Sequence, residues 1–218
     1  MSGVRQAWRN IDAVVIGASA GGVEVLSLLL PRLPAACSAS FFVVVHVPRE
    51  RPSLLSELFA ERCAVCVKEA EDKEPVEPGT VYFAPSDYHL LIERGPVAEV
   101  GQGGPGPADH SRAARGPTLA LASDEPVHFS RPSIDVLFES AADAYGERLL
   151  GLILTGANED GADGLAAVRL ARGRTVVQAP RCAAAPILPE AALSRGSVDL
   201  LLSLEQLQEL FASCPAGR

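Results

Sequence analysis

The chain has 218 residues, with 19 basic against 27 acidic side chains, a formal charge of −8 and 48% hydrophobic residues. That length and apolar fraction suit one globular domain spanning 1–218 with a core of its own. The acidic balance argues against a nucleic-acid partner, whose binding rests on Lys and Arg releasing counterions, and no run approaches the ~20 apolar residues of a membrane helix.

Arg5 and Arg9 precede only a short apolar run, Ala13 to Ile16, so a signal-peptide core is missing and a cytoplasmic location is expected. In a reducing compartment the five cysteines (Cys37, Cys63, Cys66, Cys182, Cys214) are expected as thiols. Cys63 and Cys66 form a CxxC pair, but no second pair or nearby histidine couple completes a zinc site, so neither metal nor cofactor is expected.

In chain order, the apolar run Ala13 to Ile16 leads into Gly17-Ala18-Ser19-Ala20-Gly21-Gly22. Val23, Leu26, Leu29 and Leu30 then recur at helical spacing, which predicts strand, tight turn, helix. A second strand, Phe41 to Val45, ends at His46-Val47-Pro48, and Ser53 is placed to cap a helix through Leu54, Leu55, Leu58 and Phe59.

Between Cys63 and Pro126 short β-like pieces (65–67, 80–84, 89–93, 118–121) alternate with Pro and Gly, which predicts a peripheral β-hairpin region at a sheet edge. Its Gly/Pro-rich stretch 101–117 is expected to be a flexible loop. Helical spacing returns at Ile134, Leu137, Phe138, Ala141, Ala142 and Tyr145, stopped by Gly146. The buried strand Leu149 to Leu154 ends in Thr155-Gly156-Ala157-Asn158-Glu159-Asp160-Gly161, followed by a helix through Leu165, Val168 and Leu170, a strand from Thr175 to Gln178, and a capping box of Ser203 with Gln206 before a last helix. Repeated βα units predict a doubly wound, mostly parallel α/β sheet with flanking helices and its crevice at the carboxyl ends of the strands.

Three of these βα turns carry polar side chains: Ser19, His46 and the cluster Asn158-Glu159-Asp160. A serine hydroxyl is a weak nucleophile that needs an imidazole to take its proton, and a carboxylate to hold the tautomer and stabilise the imidazolium. The turn 17–21 also fits the G-x-S-x-G nucleophile elbow, with backbone N–H groups at the helix start and at Gly156-Ala157 as candidate oxyanion donors.

Rival readings accompany each residue. Ser19 would serve equally as a helix cap or a phosphate contact, but a dinucleotide fingerprint wants glycine at that place and an acidic residue where His46 stands. His89, His110 and His128 compete for the role of base, although only His46 ends a strand parallel to that of Ser19. Glu159, Asp160 and Asp163 remain open as the acid, since any of them would also complement a helix dipole.

With these motifs placed, the chain resembles the catalytic domain of the chemotaxis protein-glutamate methylesterases, the CheB family, from about Ile11 to its last helix. Gly17 to Gly22 is similar to the nucleophile turn, His46-Val47-Pro48 to the base motif and Leu154 to Ala162 to the acid motif. Tyr82-Phe83-Ala84-Pro85 with His89, and Arg131 to Phe138, resemble two further signatures. The resemblance implies Ser19 as nucleophile, His46 as base and Asp160 as acid, with Ala20, Gly21 and Ala157 lining the oxyanion site. It implies hydrolysis of glutamyl methyl esters, with glutamine deamidation beside it, on methyl-accepting chemotaxis receptors. A hydrolase of another ester and a non-catalytic receptor-binding module of the same fold are the alternatives.

The chain departs from the family pattern in three ways. Ala20 stands where Thr is common, Ala157-Asn158 where Met-Gly is common, and Ile187-Leu188-Pro189 where a Gly- or Ser-Met-Pro stretch is common. The residues ahead of Ile11 are too few for the family's receiver domain, so no receiver domain is expected here and a receiver-domain protein acting in trans is the expected regulatory partner.

Overall fold

A computed structural model of the chain describes residues 2–46, 54–95, 116–196 and 198–216. Helix α1 (Ser2–Gln6) is followed by β1 (Ala13–Ala18), α2 (Gly22–Leu29), β2 (Ser40–Val45), α3 (Leu55–Ala60), β3 (Cys66–Glu69), β4 (Thr80–Phe83), β5 (His89–Glu93) and β6 (Thr118–Ala122). Then come α4 (Ile134–Tyr145), β7 (Leu149–Ile153), α5 (Ala162–Leu170), β8 (Arg174–Gln178), α6 (Ile187–Ser194), β9 (Leu200–Leu202) and α7 (Leu204–Ala212). No helix among the described residues is long and apolar enough to cross a membrane.

Seven strands form one sheet in the order β3-β4-β2-β1-β7-β8-β9, parallel throughout. The chain winds outward from β1 through β2, then crosses to the other side of β1 at β7. That reversal is where doubly wound sheets open a crevice at the carboxyl ends of their strands.

Every residue of β1, β2 and β7 is buried, and their sequences are accordingly almost unbroken apolar runs, as expected for strands covered on both faces. Val14, Ile16, Phe41 and Val43 pack with Leu26 and Phe211 on one face. On the other, Val15, Phe42 and Val44 meet Ile134, Leu137 and Phe138 of α4. Ser133 caps α4 by accepting from Val136 N, and Ser203 with Gln206 forms the anticipated capping box of α7.

The region 63–126 holds the expected peripheral hairpin, β5 with β6, and contributes two further strands to the main sheet. β3 and β4 join the main sheet in parallel beyond β2, and β5 and β6 pair antiparallel as a separate two-stranded sheet against α4. Turn residues mark where short strands end, but not which neighbour each will pair with. Most of the expected loop 101–117, all but 116 and 117, lies outside the described residues, as does Ser53. The helix α6 and the strand β9 were not anticipated.

The cysteine expectation is corrected. Cys37 and Cys214, 177 residues apart with Cα atoms at 5.5 Å, form a disulfide, while Cys63, Cys66 and Cys182 are free. The backbone around it is stitched as well, with Ser38 N donating to Pro215 O and an isolated antiparallel bridge between Cys37 and Ala216. Only the fold brings the loop before β2 to the C-terminal segment, so no count or spacing of cysteines could reveal the pair.

Candidate active site

β1, β2 and β7 lie side by side in the sheet, and the residues just past their carboxyl ends bring Ser19, His46 and the turn holding Asp160 to one crevice. The register pairs Ala18 with Val45, so Ser19 and His46 are the next residues along adjacent parallel strands. His46 N extends the ladder to Ala18 O at 3.1 Å, and Ser19 N donates to Thr155 O at 2.9 Å.

The turn after β1 is shaped by Gly21, whose φ of 78° is left-handed, and a Cβ there would approach Ala184 Cβ to 2.8 Å. Gly21 is the N-cap of α2 without a side-chain cap bond, so Ser19 is not spent on capping that helix. Thr155 ties the two turns together: its hydroxyl lies 2.9 Å from Ala20 O and accepts from Ala185 N at 2.9 Å. Gly156 admits the close approach of its neighbours, since a Cβ would lie 2.7 Å from Leu188 Cδ2 and 3.1 Å from Ser19 Cβ.

His46 Nε2 lies 2.7 Å from Asp160 Oδ2. Asp160 is fully buried, and its carboxylate sits at the start of α4, accepting from Ser133 Oγ (2.7 Å), Ile134 N (2.8 Å) and Asp135 N (3.2 Å). Burial pushes this carboxyl up, but the bonds from His46, Ile134 N and Ser133 and the attraction of His46 outweigh it, holding the group below the usual carboxylate range. The helix N-terminus adds favourable charge. An ionised Asp160 accepts the hydrogen bond from Nε2–H, which fixes the tautomer that carries its lone pair on Nδ1.

Asp135 mirrors this arrangement from α4 onto α5. Its Oδ1 accepts from Gly161 N (2.9 Å) and Gly164 N (2.6 Å), supplying the cap that Gly161 lacks. Burial first, and the charge of Asp160 besides, raise its carboxyl to about 6 against the pull of those N–H groups.

The rivals for base and acid separate by position. His89 is buried, with Nδ1 accepting from Ser133 N and Nε2 facing Glu125 O, which makes it a strut under α4. His128 is exposed beside Asp135, and His110 lies outside the described residues. Glu159 and Asp163 are exposed and face Arg195. His128, Asp135 and Asp163 bring one ligand atom each within 4.8 Å of one another, yet Arg195 and the N–H groups of α5 already engage the two carboxylates.

Of the candidate oxyanion donors, Gly156 N is committed to Ala185 O at 2.9 Å, so that part of the expectation is corrected. The N–H groups of Ala20, Gly21 and Ala157 donate to no partner among the described residues. Ser133, Asp135, Ser130 and Asn158 received no role from sequence reasoning. Ser133 and Asp135 lie in the stretch Arg131 to Phe138 already marked as a signature, which was the available signal.

Known proteins resemble the chain over most of its length. A Leptospira interrogans relative is 40% identical over 202 residues, covering 93% of this chain and 94% of its own. A protein-glutamate methylesterase/protein-glutamine glutaminase of Archaeoglobus fulgidus is 34% identical over 209 residues, and there this chain spans only 55% of the relative's length. The crystal structure of the Thermotoga maritima CheB methylesterase catalytic domain superposes with a TM-score of 0.78 at 28% identity, over 93% of this chain and 97% of that one. Residues 14–211 match the family model for CheB methylesterase, and the chain belongs to that family.

Proposed function

We propose that this enzyme hydrolyses γ-glutamyl methyl esters on chemotaxis-type receptors through an acyl-enzyme, with Ser19 as nucleophile, His46 as general base and Asp160 as the orienting acid. The contact that carries the reading is the 2.7 Å bond from His46 Nε2 to the buried, ionised Asp160, which directs the other ring nitrogen to proton transfer.

In the reaction Ser19 Oγ attacks the γ-carbonyl carbon while His46 Nδ1 takes the hydroxyl proton. The N–H groups of Ala20, Gly21 and Ala157 stabilise the oxyanion, in the manner of preorganised backbone donors. The tetrahedral intermediate collapses with loss of methoxide, which leaves as methanol with the proton from His46. Water, activated by the same imidazole, then releases the glutamate and restores Ser19. The same steps convert a glutamine amide, with ammonia leaving, consistent with the paired activities in the name of the Archaeoglobus relative. Phe129 and Ile187 are exposed and are the sequence neighbours of Ser130 and Leu188, which approach Asn158 and Gly156, and exposed apolar side chains there would suit a protein substrate.

Methanol release from methylated receptor membranes tests the reading. The chain should release methanol and Ser19→Ala should not, whereas equal release by both would exclude Ser19 as the nucleophile. Membrane binding without release by either would favour the non-catalytic receptor-binding reading.

A further inference from the structure

Asn158 has no part in the triad, and it stands where the resembling family commonly carries glycine. Its Nδ2 lies 3.3 Å from His46 Nδ1 and 3.4 Å from Ser130 Oγ, while its Oδ1 is buried with no hydrogen-bond partner among the described residues. Because His46 Nε2 is committed to the Asp160 carboxylate, Nδ1 carries the lone pair, and an amide N–H is the group that can donate to it. Ser130 Oγ lies 3.4 Å from His128 O, to which it donates, so its own lone pairs accept the second amide hydrogen. The opposite amide orientation would set two acceptors, Oδ1 and Nδ1, against each other. Among the described residues no hydrogen bond joins Ser19 Oγ to either nitrogen of His46.

We propose that Asn158 is a positioning residue whose amide engages the His46 lone pair in the free enzyme, so that Ser19 must displace it before the hydroxyl can be deprotonated. The proposal rests on the Ser19, His46 and Asp160 reading. The nucleophile and the amide compete for a single lone pair, and the amide holds it through one ordinary neutral hydrogen bond. The orphaned Oδ1 opposes this arrangement, since a buried carbonyl oxygen without a donor is costly, which keeps the latch easy to release. Removing a bond of that strength should speed the attack of Ser19 by about three- to tenfold.

The test uses the full chain, Asn158→Gly, Asn158→Ala and Ser130→Ala, each checked for folding by circular dichroism. One measurement follows the nitrogen-15 resonances of His46 in histidine-labelled protein. The other is the second-order rate at which a small phosphonate ester modifies Ser19, read by mass. The unchanged chain should show Nδ1 unprotonated and hydrogen-bonded. Both Asn158 variants should shift that resonance toward a free ring nitrogen and react about three- to tenfold faster, with Ser130→Ala between, because its amide keeps one anchor.

A purely structural role for Asn158 would leave the Nδ1 resonance where it is. An unshifted resonance, or slower modification in both Asn158 variants, would overturn the proposal. If Ser19 is modified in none of the proteins, the nucleophile assignment fails instead, and the resonance alone then decides whether Asn158 holds the lone pair.

Discussion

At Asp160 burial and solvation by the protein pull in opposite directions, and the donors His46, Ile134 N and Ser133, with the attraction of His46, decide the outcome in favour of the charged form. Replacing it by asparagine keeps the volume but removes the charge that stabilises an imidazolium. Asp160→Asn should therefore lower methyl-ester turnover by roughly 10³- to 10⁴-fold, as loss of the orienting acid does in other triads. Asp163→Asn breaks only an exposed pair with Arg195 and should leave turnover within about twofold. Steady-state assays of the two variants check this, and greater damage from Asp163→Asn would move the acid to that residue. Ser19→Ala and His46→Ala should each nearly abolish turnover, with the double variant scarcely worse, since a nucleophile and its base act as one unit. Additive losses in single-turnover assays would break that coupling.

At the scale of elements, α4 and α5 exchange carboxylates across their N-termini. α4 receives Asp160 from the turn before α5, and α5 receives Asp135 from the first turn of α4. The exchange locks the acid-bearing turn to α4 and places two carboxylates close together. The Asp135 carboxyl is raised from 3.8 to about 6 in the folded protein, so the folded state holds its proton more tightly than the unfolded chain does. Its favourable contribution is complete below pH 3.8 and is lost as pH rises through about 6. Asp160, held low, works in the opposite sense: its contribution is present at neutral pH and lost only on strong acidification. Asp135→Asn keeps an oxygen for Gly161 N and Gly164 N without the charge. It should be more stable than the parent by about 2–3 kcal/mol at pH 8 and by only about half as much at pH 5, since the loss runs from pH 3.8 to about 6. Denaturant unfolding at both pH values measures the difference, and an equal gain at pH 5 would mean that the charge is not its source.

The whole molecule is tied at its periphery by Cys37–Cys214, which links the loop ahead of β2 to the segment after α7. A cross-link spanning 177 residues restricts the unfolded chain strongly, so its removal should cost about 2–4 kcal/mol. Thiol titration of the unreduced, denatured protein should find the three free cysteines and not all five. Reduction should then lower the melting temperature. A titre of five, or an unchanged melting temperature, would remove the cross-link from the account of stability. The site lies at the other end of this architecture, at the carboxyl ends of the central strands, so reduction should weaken the fold with little change in turnover of the folded protein.

Much of this molecule is legible in local sequence. The unbroken apolar runs of β1, β2 and β7, the helical spacing of α4 and the capping box of α7 follow from periodicity and backbone chemistry, which act over a few residues. So does the placing of Ser19, His46 and Asp160 on turns after strands, because strand ends and glycine turns are local features. Which strands pair is not local. β3 and β4 took places in the parallel sheet because their buried residues complete the face beyond β2, a choice set by packing over long separations. Which of Glu159, Asp160 and Asp163 meets His46 was likewise set by burial against α4, the contact between Asn158 and His46 by the meeting of two turns, and the Cys37–Cys214 pair by where the last helix docks. The sequence by itself determined the elements and the chemistry they carry. Their neighbours were decided by tertiary structure, because contact between residues more than a hundred positions apart depends on how whole faces bury one another, and no short window of sequence contains that.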